Sequence, residues 1–209
     1  MDYFTARQHM VESQVRVNDV TDPALQKAMR HIERERLVAP SQAFAAYAEV
    51  EAQIAPGRAL MRPRDIAKLL HALKPEAGQR VLAIAAPYAA AVLAHAGLKV
   101  TAQEGDARVL SVVEPYLTEL GVATVTQDLQ KAAEGTYDLI ITEGAVSEVP
   151  TAWTDALVLG GRLAVVVRNS AIGKAKLYTR ISSGISEYDV FDSSPTVLPG
   201  FEARRDFVF

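Results

Sequence analysis

Three carboxylates in this chain stand where a nucleoside site would need them. Glu104, Asp128 and Glu143 each follow or close a short apolar or β-branched run. In an open α/β sheet the ends of successive strands converge on one crevice, and nucleotide-like ligands dock there. Glu104 follows the first strand–helix turn by about 20 residues, the spacing at which an acid accepts hydrogen bonds from both ribose hydroxyls; otherwise it is a solvated strand end. Asp128, in Val125-Thr126-Gln127-Asp128, either receives an adenine amino group or caps a short turn. Glu143, in Thr142-Glu143-Gly144-Ala145, faces a substrate in the same crevice or faces solvent.

The loop that should complete such a site is the segment Val81–Ala91, VLAIAAPYAAA, and it contains no glycine. An apolar strand, Arg80–Ile84, runs into a tight connection and a helix of small residues. Nucleotide loops of this kind carry glycines so that the backbone can approach the ligand and adopt positive φ. Here those places are Ala85, Ala86, Pro87 and Ala89. The scaffold of a cofactor enzyme is present with its cofactor loop rewritten.

Composition narrows the classes. A chain of 209 residues suffices for one α/β domain with a full core. The net charge of −3 provides no basic footprint for nucleic acid. With no cysteine, disulfides, thiolate catalysis and cysteine-ligated zinc are excluded. His9, His31, His71 and His95 lack metal-ligand spacing, so no metal site is expected, and His71 and His95 read as surface residues near helix ends. No GxSxG, HExxH, Walker or paired-carboxylate motif is present. The start of the chain lacks a signal pattern, and no window reaches the roughly 20 apolar residues of a membrane span. The expectation is a soluble cytoplasmic protein.

The elements that must hold these residues fall into two regions. In residues 1–77, a helical extension, residues 4–17 read as a helix with Phe4, Met10, Val11 and Val15 on one face. Thr21-Asp22-Pro23 caps a second helix, Pro23 to His31. Arg34 to Ile54 reads as irregular, anchored by Phe44 and Tyr47. A third helix starts near Pro63 and buries Ile66, Leu69, Leu70 and Leu73. In residues 78–209, strands at Arg80–Ile84, Lys99–Gln103, Ala123–Thr126, Tyr137–Thr142 and Arg162–Val167 alternate with helices at Pro87–His95, Ala107–Leu120 and Thr151–Leu159. That alternation predicts a doubly wound, mostly parallel sheet covered on both faces. Lys176–Ser182, Glu187–Asp192 and Phe201–Phe209 are strand-like with no helix between them, which predicts an antiparallel C-terminal hairpin.

Read in order, the segments resemble the protein-L-isoaspartate O-methyltransferase family, within the S-adenosylmethionine-dependent methyltransferase fold. Met10-Val11-Glu12-Ser13-Gln14-Val15 is similar to its opening "MV-x-x-Q-[LV]", and Arg34-Glu35-Arg36-Leu37-Val38-Ala39-Pro40 to "R-E-x-F-V-P". Tyr47, Tyr137-Asp138-Leu139-Ile140, Val149-Pro150 and Leu159-Gly160-Gly161-Arg162-Leu163 match further family segments. The resemblance implies methyl transfer from S-adenosylmethionine to isoaspartyl carboxylates of damaged proteins. In that reaction the carboxylate is already a nucleophile and the sulfonium already a leaving group, so alignment supplies most of the rate. Glu104 and Asp128 then correspond to the family's ribose-side and adenine-side acids.

Two departures bear on activity. The family's "[DE]-x-G-x-G-[ST]-G-Y" has Ala83 in place of its acid and Ala85, Pro87 and Ala89 in place of its glycines, with Tyr88 adding bulk toward the cofactor's methionine end. A β-carbon at a left-handed position costs roughly 1–2 kcal/mol, and proline removes an N–H. The family's active-site serine falls on Met61, in Leu60-Met61-Arg62-Pro63. Arg62 or Arg64 can hold a substrate carboxylate by a bidentate pair, or simply begin a helix on the surface. Three functions follow: a working carboxyl methyltransferase; a non-catalytic descendant that binds a protein or peptide with Tyr88 plugging the old pocket; or a binder of another nucleoside or metabolite through Glu104 and Asp128. Loss or impairment of methyl transfer is the expectation.

Overall fold

The computed structural model describes residues 2–203. The chain opens with α1 (Tyr3–Met10), which runs through a π turn (Val11–Val15) and a 3-10 turn (Arg16–Asn18) before α2 (Pro23–His31). Asp22 caps α2, its Oδ1 accepting from the N–H groups of Ala24 and Leu25. Met10, Val11 and Val15 are buried as their spacing predicts, but Phe4 is 67% exposed. The stretch after α2 is more ordered than its sequence suggests. It holds two 3-10 turns (Arg34–Leu37 and Pro40–Ala45) and a small hairpin of β1 (Ala52–Ala55) and β2 (Arg58–Leu60). Tyr47 is buried there, whereas Phe44, the other expected anchor, is 64% exposed. α3 (Pro63–Leu73) follows and buries its four predicted apolar residues.

The core is a seven-stranded sheet built from β3 (Arg80–Ile84), β4 (Lys99–Glu104), β5 (Ala123–Thr126), β6 (Tyr137–Val146), β7 (Leu157–Val167), β8 (Lys174–Ile181) and β9 (Gly184–Asp192). Its order is β5-β4-β3-β6-β7-β8-β9, parallel through β7 and antiparallel thereafter. The connecting helices are α4 (Pro87–His95), α5 (Ala107–Glu119) and α6 (Thr151–Asp155). α6 is shorter than the predicted Thr151–Leu159, because Leu157 already pairs with Tyr137 and starts β7. The C-terminal hairpin is β8–β9. Phe201–Ala203 form no strand, and the rest of the expected run to Phe209 lies outside the described residues.

Strand order reverses between β3 and β6, so their carboxyl ends flank the crevice where ligands bind in such sheets. α4 lies over that crevice with Ala89, Ala90 and Ala91 buried; these small side chains let it sit close against the sheet. Met10, Leu25, Leu60, Leu70, Tyr88 and Val92 belong to one buried cluster, so the N-terminal helices pack directly on α4 and the sheet. No helix among the described residues is long and apolar enough to cross a membrane.

Candidate functional site

The turn after β3 keeps the backbone shape of a nucleotide loop without its glycines. Ala85 takes φ +52°, the left-handed region that glycine occupies at no steric cost. Its N–H donates to the Gln103 carbonyl at 2.8 Å, which ties the turn to β4. Pro87 then opens α4 at its first turn, where the missing N–H and fixed φ suit a helix start. Ala83 and Ala89 are fully buried in packed core.

Tyr88 is fully buried and belongs to the main hydrophobic cluster. The guanidinium of Arg34 lies over its ring, 4.3 Å from the ring centre. Arg34, also fully buried, donates from Nε to the Ala46 carbonyl at 2.7 Å and from Nη2 to the Met61 carbonyl at 2.8 Å. The backbone of Met61, at the serine position of the resemblance, is thus a support for Arg34, and its side chain is buried. Burial pushes the Tyr88 phenol well above its ordinary range.

Glu143 faces neither substrate nor solvent. It sits on β6 beside a break in the ladder between Ile141 and Ala145, and its side chain is fully buried. Gly144 makes that bulge possible: its φ is +128°, and a Cβ there would come within 2.6 Å of Leu198. The Glu143 carboxylate lies at the start of α4 and accepts from the Tyr88 N–H at 3.4 Å. Burial raises its pKa to about 7, against the opposing pull of Arg34. Thr142 Oγ1, Glu143 Oε1, Tyr88 Oη and Arg34 Nη1 are buried without hydrogen-bond partners.

Glu104 is not a solvated strand end. Its Oε1 accepts from the N–H groups of Gly105 at 2.8 Å and Asp106 at 3.1 Å, and its Oε2 accepts from Arg58 Nη1 at 2.6 Å. Arg58 also donates from Nη2 to the Ala85 carbonyl at 3.0 Å. Asp128 is exposed and makes the local turn contact, Oδ1 accepting from the Gln130 N–H at 3.0 Å. Its loop is held by the buried Gln103, whose Nε2 donates to the carbonyls of Asp128 and Lys131. An open pocket of about 430 Å³ lies beside Glu104 and Asp128, walled by Arg58, Arg108, Leu129 and Phe201. Arg108 holds Asp106 down to a pKa of about 2. Arg62 is exposed; Arg64 pairs with Asp65 at 2.9 Å and Glu49 at 3.7 Å.

The structure therefore gathers Ala85, Pro87, Tyr88 and Glu143 at one end of the crevice and Glu104 and Asp128 at the other, with Arg62 outside both. Arg34, Arg58 and Gln103 escaped the sequence reading. Arg58 carried a partial signal: an arginine directly after the turn glycine Gly57 and followed by the apolar Ala59-Leu60-Met61 is placed to be drawn inward onto a buried acceptor.

This sheet order with an antiparallel C-terminal edge is the Rossmann-like fold of S-adenosylmethionine-dependent methyltransferases. A Plasmodium falciparum protein assigned as a protein-L-isoaspartate O-methyltransferase, solved in complex with S-adenosyl-L-homocysteine, superposes with a TM-score of 0.77 at 16% identity, over 92% of this chain and 97% of that one. Residues 5–193 match the family profile of protein-L-isoaspartate(D-aspartate) O-methyltransferase. The protein-L-isoaspartate O-methyltransferase of Methylorubrum populi is 34% identical over 168 residues, covering 78% of this chain and 79% of the relative. That of Methylorubrum extorquens is 34% identical over 173 residues, covering 79% and 75%. The chain belongs to the protein-L-isoaspartate O-methyltransferase family.

Proposed function

We propose that this family member does not transfer methyl groups and acts instead as a protein-binding module on a methyltransferase fold. The observation that supports the reading is the fully buried Tyr88 stacked under Arg34 in the first turn of α4, directly after the loop that lacks glycine. Ala83 offers no carboxylate to that cofactor's ammonium group, and Glu143 is kept from doing so by its burial and by its raised pKa. The residues at this end do not fit the cofactor. An alignment-driven methyl transfer fails when the donor cannot be placed, whatever the acceptor. A protein carrying isoaspartate, the family's substrate class, is the natural partner chemistry. The alternative of another nucleoside has the open pocket in its favour, but the carboxylate that would read its ribose is committed internally. The tests are calorimetric titration with S-adenosyl-L-homocysteine and an isoaspartyl-peptide methylation assay. Micromolar binding with turnover would overturn the proposal.

A further inference from the structure

We infer that Arg58 is an internal stand-in for the ribose of a nucleoside, and that this single side chain takes up the ribose-reading carboxylate at the second, still open end of the crevice. The inference rests on the reading that the crevice descends from a nucleoside site, and it names the residue that sets its specificity. A vicinal diol binds a carboxylate by presenting two donors to its free acceptor positions. Glu104 offers about four such positions. Two N–H groups of its own loop, from Gly105 and Asp106, and Nη1 of Arg58 occupy three of them. A diol arriving there would find room for one hydrogen bond and would meet a guanidinium.

The placement of Arg58 is rigid. Its side chain is 2% exposed, and that of Glu104 is 7% exposed. Nη1 holds Glu104 while Nη2 holds the Ala85 carbonyl, so the guanidinium bridges the ends of β4 and β3. A planar fork suits two separated acceptors in this way, whereas a lysine ammonium is a compact point charge. Ala85 is also the residue with positive φ, so Arg58 steadies the strained turn that replaces the glycine loop. Displacing Arg58 would cost both contacts and leave a buried charge unpaired. The pocket outside this pair still has apolar walls at Leu129 and Phe201 and the exposed Asp128. What it lacks is a free ribose reader.

Adenosine is the probe, because it has no methionine tail and so does not meet Tyr88. Titration of the full chain should show binding to Arg58→Gln at least about tenfold tighter than to the wild type, the gain expected when hydrogen bonds to a charged group become available. Glutamine removes the charge and, being shorter, no longer bridges Glu104 and the Ala85 carbonyl. Arg58→Lys should bind no better than the wild type or gain only slightly, since it still neutralises Glu104. Glu104→Gln in the wild-type background should leave adenosine binding unchanged, because the wild-type carboxylate does not read the ligand. Equal adenosine affinity in Arg58→Gln and the wild type overturns the inference, as does a tenfold loss in Glu104→Gln. If Arg58→Gln fails to fold, the double variant Arg58→Gln/Glu104→Gln, which leaves neither charge unpaired, is titrated in its place and should bind adenosine more tightly than the wild type; equal affinity overturns the inference. Wild-type binding of S-adenosyl-L-homocysteine would instead refute the proposed loss of function, and adenosine affinities would still report on Arg58.

Discussion

Replacing Glu143 by glutamine should change the pH dependence of stability in a defined direction. The carboxyl is fully buried and its pKa rises from an ordinary 4.5 to about 7, with burial the larger cause and Arg34 opposing it. Below pH 4.5 both folded and unfolded chains carry the proton, and the group imposes no pH-dependent penalty. As pH climbs toward 7, the unfolded chain releases its proton while the folded chain keeps it. Stability therefore falls through that window and levels off above it. At 1.36 kcal/mol per pKa unit, the loss is about 3 kcal/mol. Glutamine has nearly the same shape and does not titrate, so the mutant should gain about 3 kcal/mol on the wild type between pH 4.5 and pH 8. Urea unfolding at a series of pH values, followed by the fluorescence of the single, buried Trp153, measures this difference directly. A difference that stays constant with pH would refute the reasoning. A wild type that gains on the mutant as pH rises would show instead a carboxylate ionised and held by Arg34.

Other perturbations test neighbouring parts of the account. Ala85→Gly relieves a β-carbon at φ +52° and should stabilise the protein by about 1 kcal/mol in the same assay; a loss of stability would show that the turn is not strained. Tyr88→Ala removes a fully buried ring from beneath Arg34 and should cost about 3–5 kcal/mol. It should not restore methyl transfer to an isoaspartyl peptide, since Ala83 and Arg58 remain, and measurable turnover would contradict that. His31 and His95 stack with ring centres 4.6 Å apart. Burial first, then His31 and Lys27, lower the His95 pKa below its ordinary 6.5. The folded state thus resists protonation of His95, which leaves stability unaffected above that pH and reduces it as pH falls below. His95→Gln should flatten the acid limb of the stability profile, an effect opposite in direction to that of Glu143; an unchanged acid limb would remove His95 from the account.

Much of the architecture was legible because its signals are periodic. The alternation of short apolar runs with helical stretches from Gly78 onward locates β3, β4 and β5 closely, while β6 runs on past its expected end and β7 starts before its expected beginning, and Asp22-Pro23 marks α2 by its cap. Misreadings came where tertiary context overrode local pattern. Leu157–Leu159 continue an apolar run out of α6, yet belong to β7, where Leu157 pairs with Tyr137 of β6. Phe4 and Phe44 are exposed although large and apolar, a choice no local rule encodes. The candidate site divides in the same way. The missing glycines at Ala85, Pro87 and Ala89 were plain, since they break a backbone rule. Arg34 and Arg58 were not, because the partners that explain them lie far along the chain: Tyr88 for one, Ala85 and Glu104 for the other. Glu143 sits at the expected strand end, but its burial comes from packing against the start of α4, where it meets the Tyr88 N–H.

The central claim is that this crevice is occupied by its own side chains and no longer places a methyl donor. Isothermal titration of the wild-type protein with S-adenosyl-L-homocysteine tests it most directly. The account predicts no heat of binding up to millimolar ligand. A micromolar dissociation constant would contradict it and return the chain to the working methyltransferases of its family.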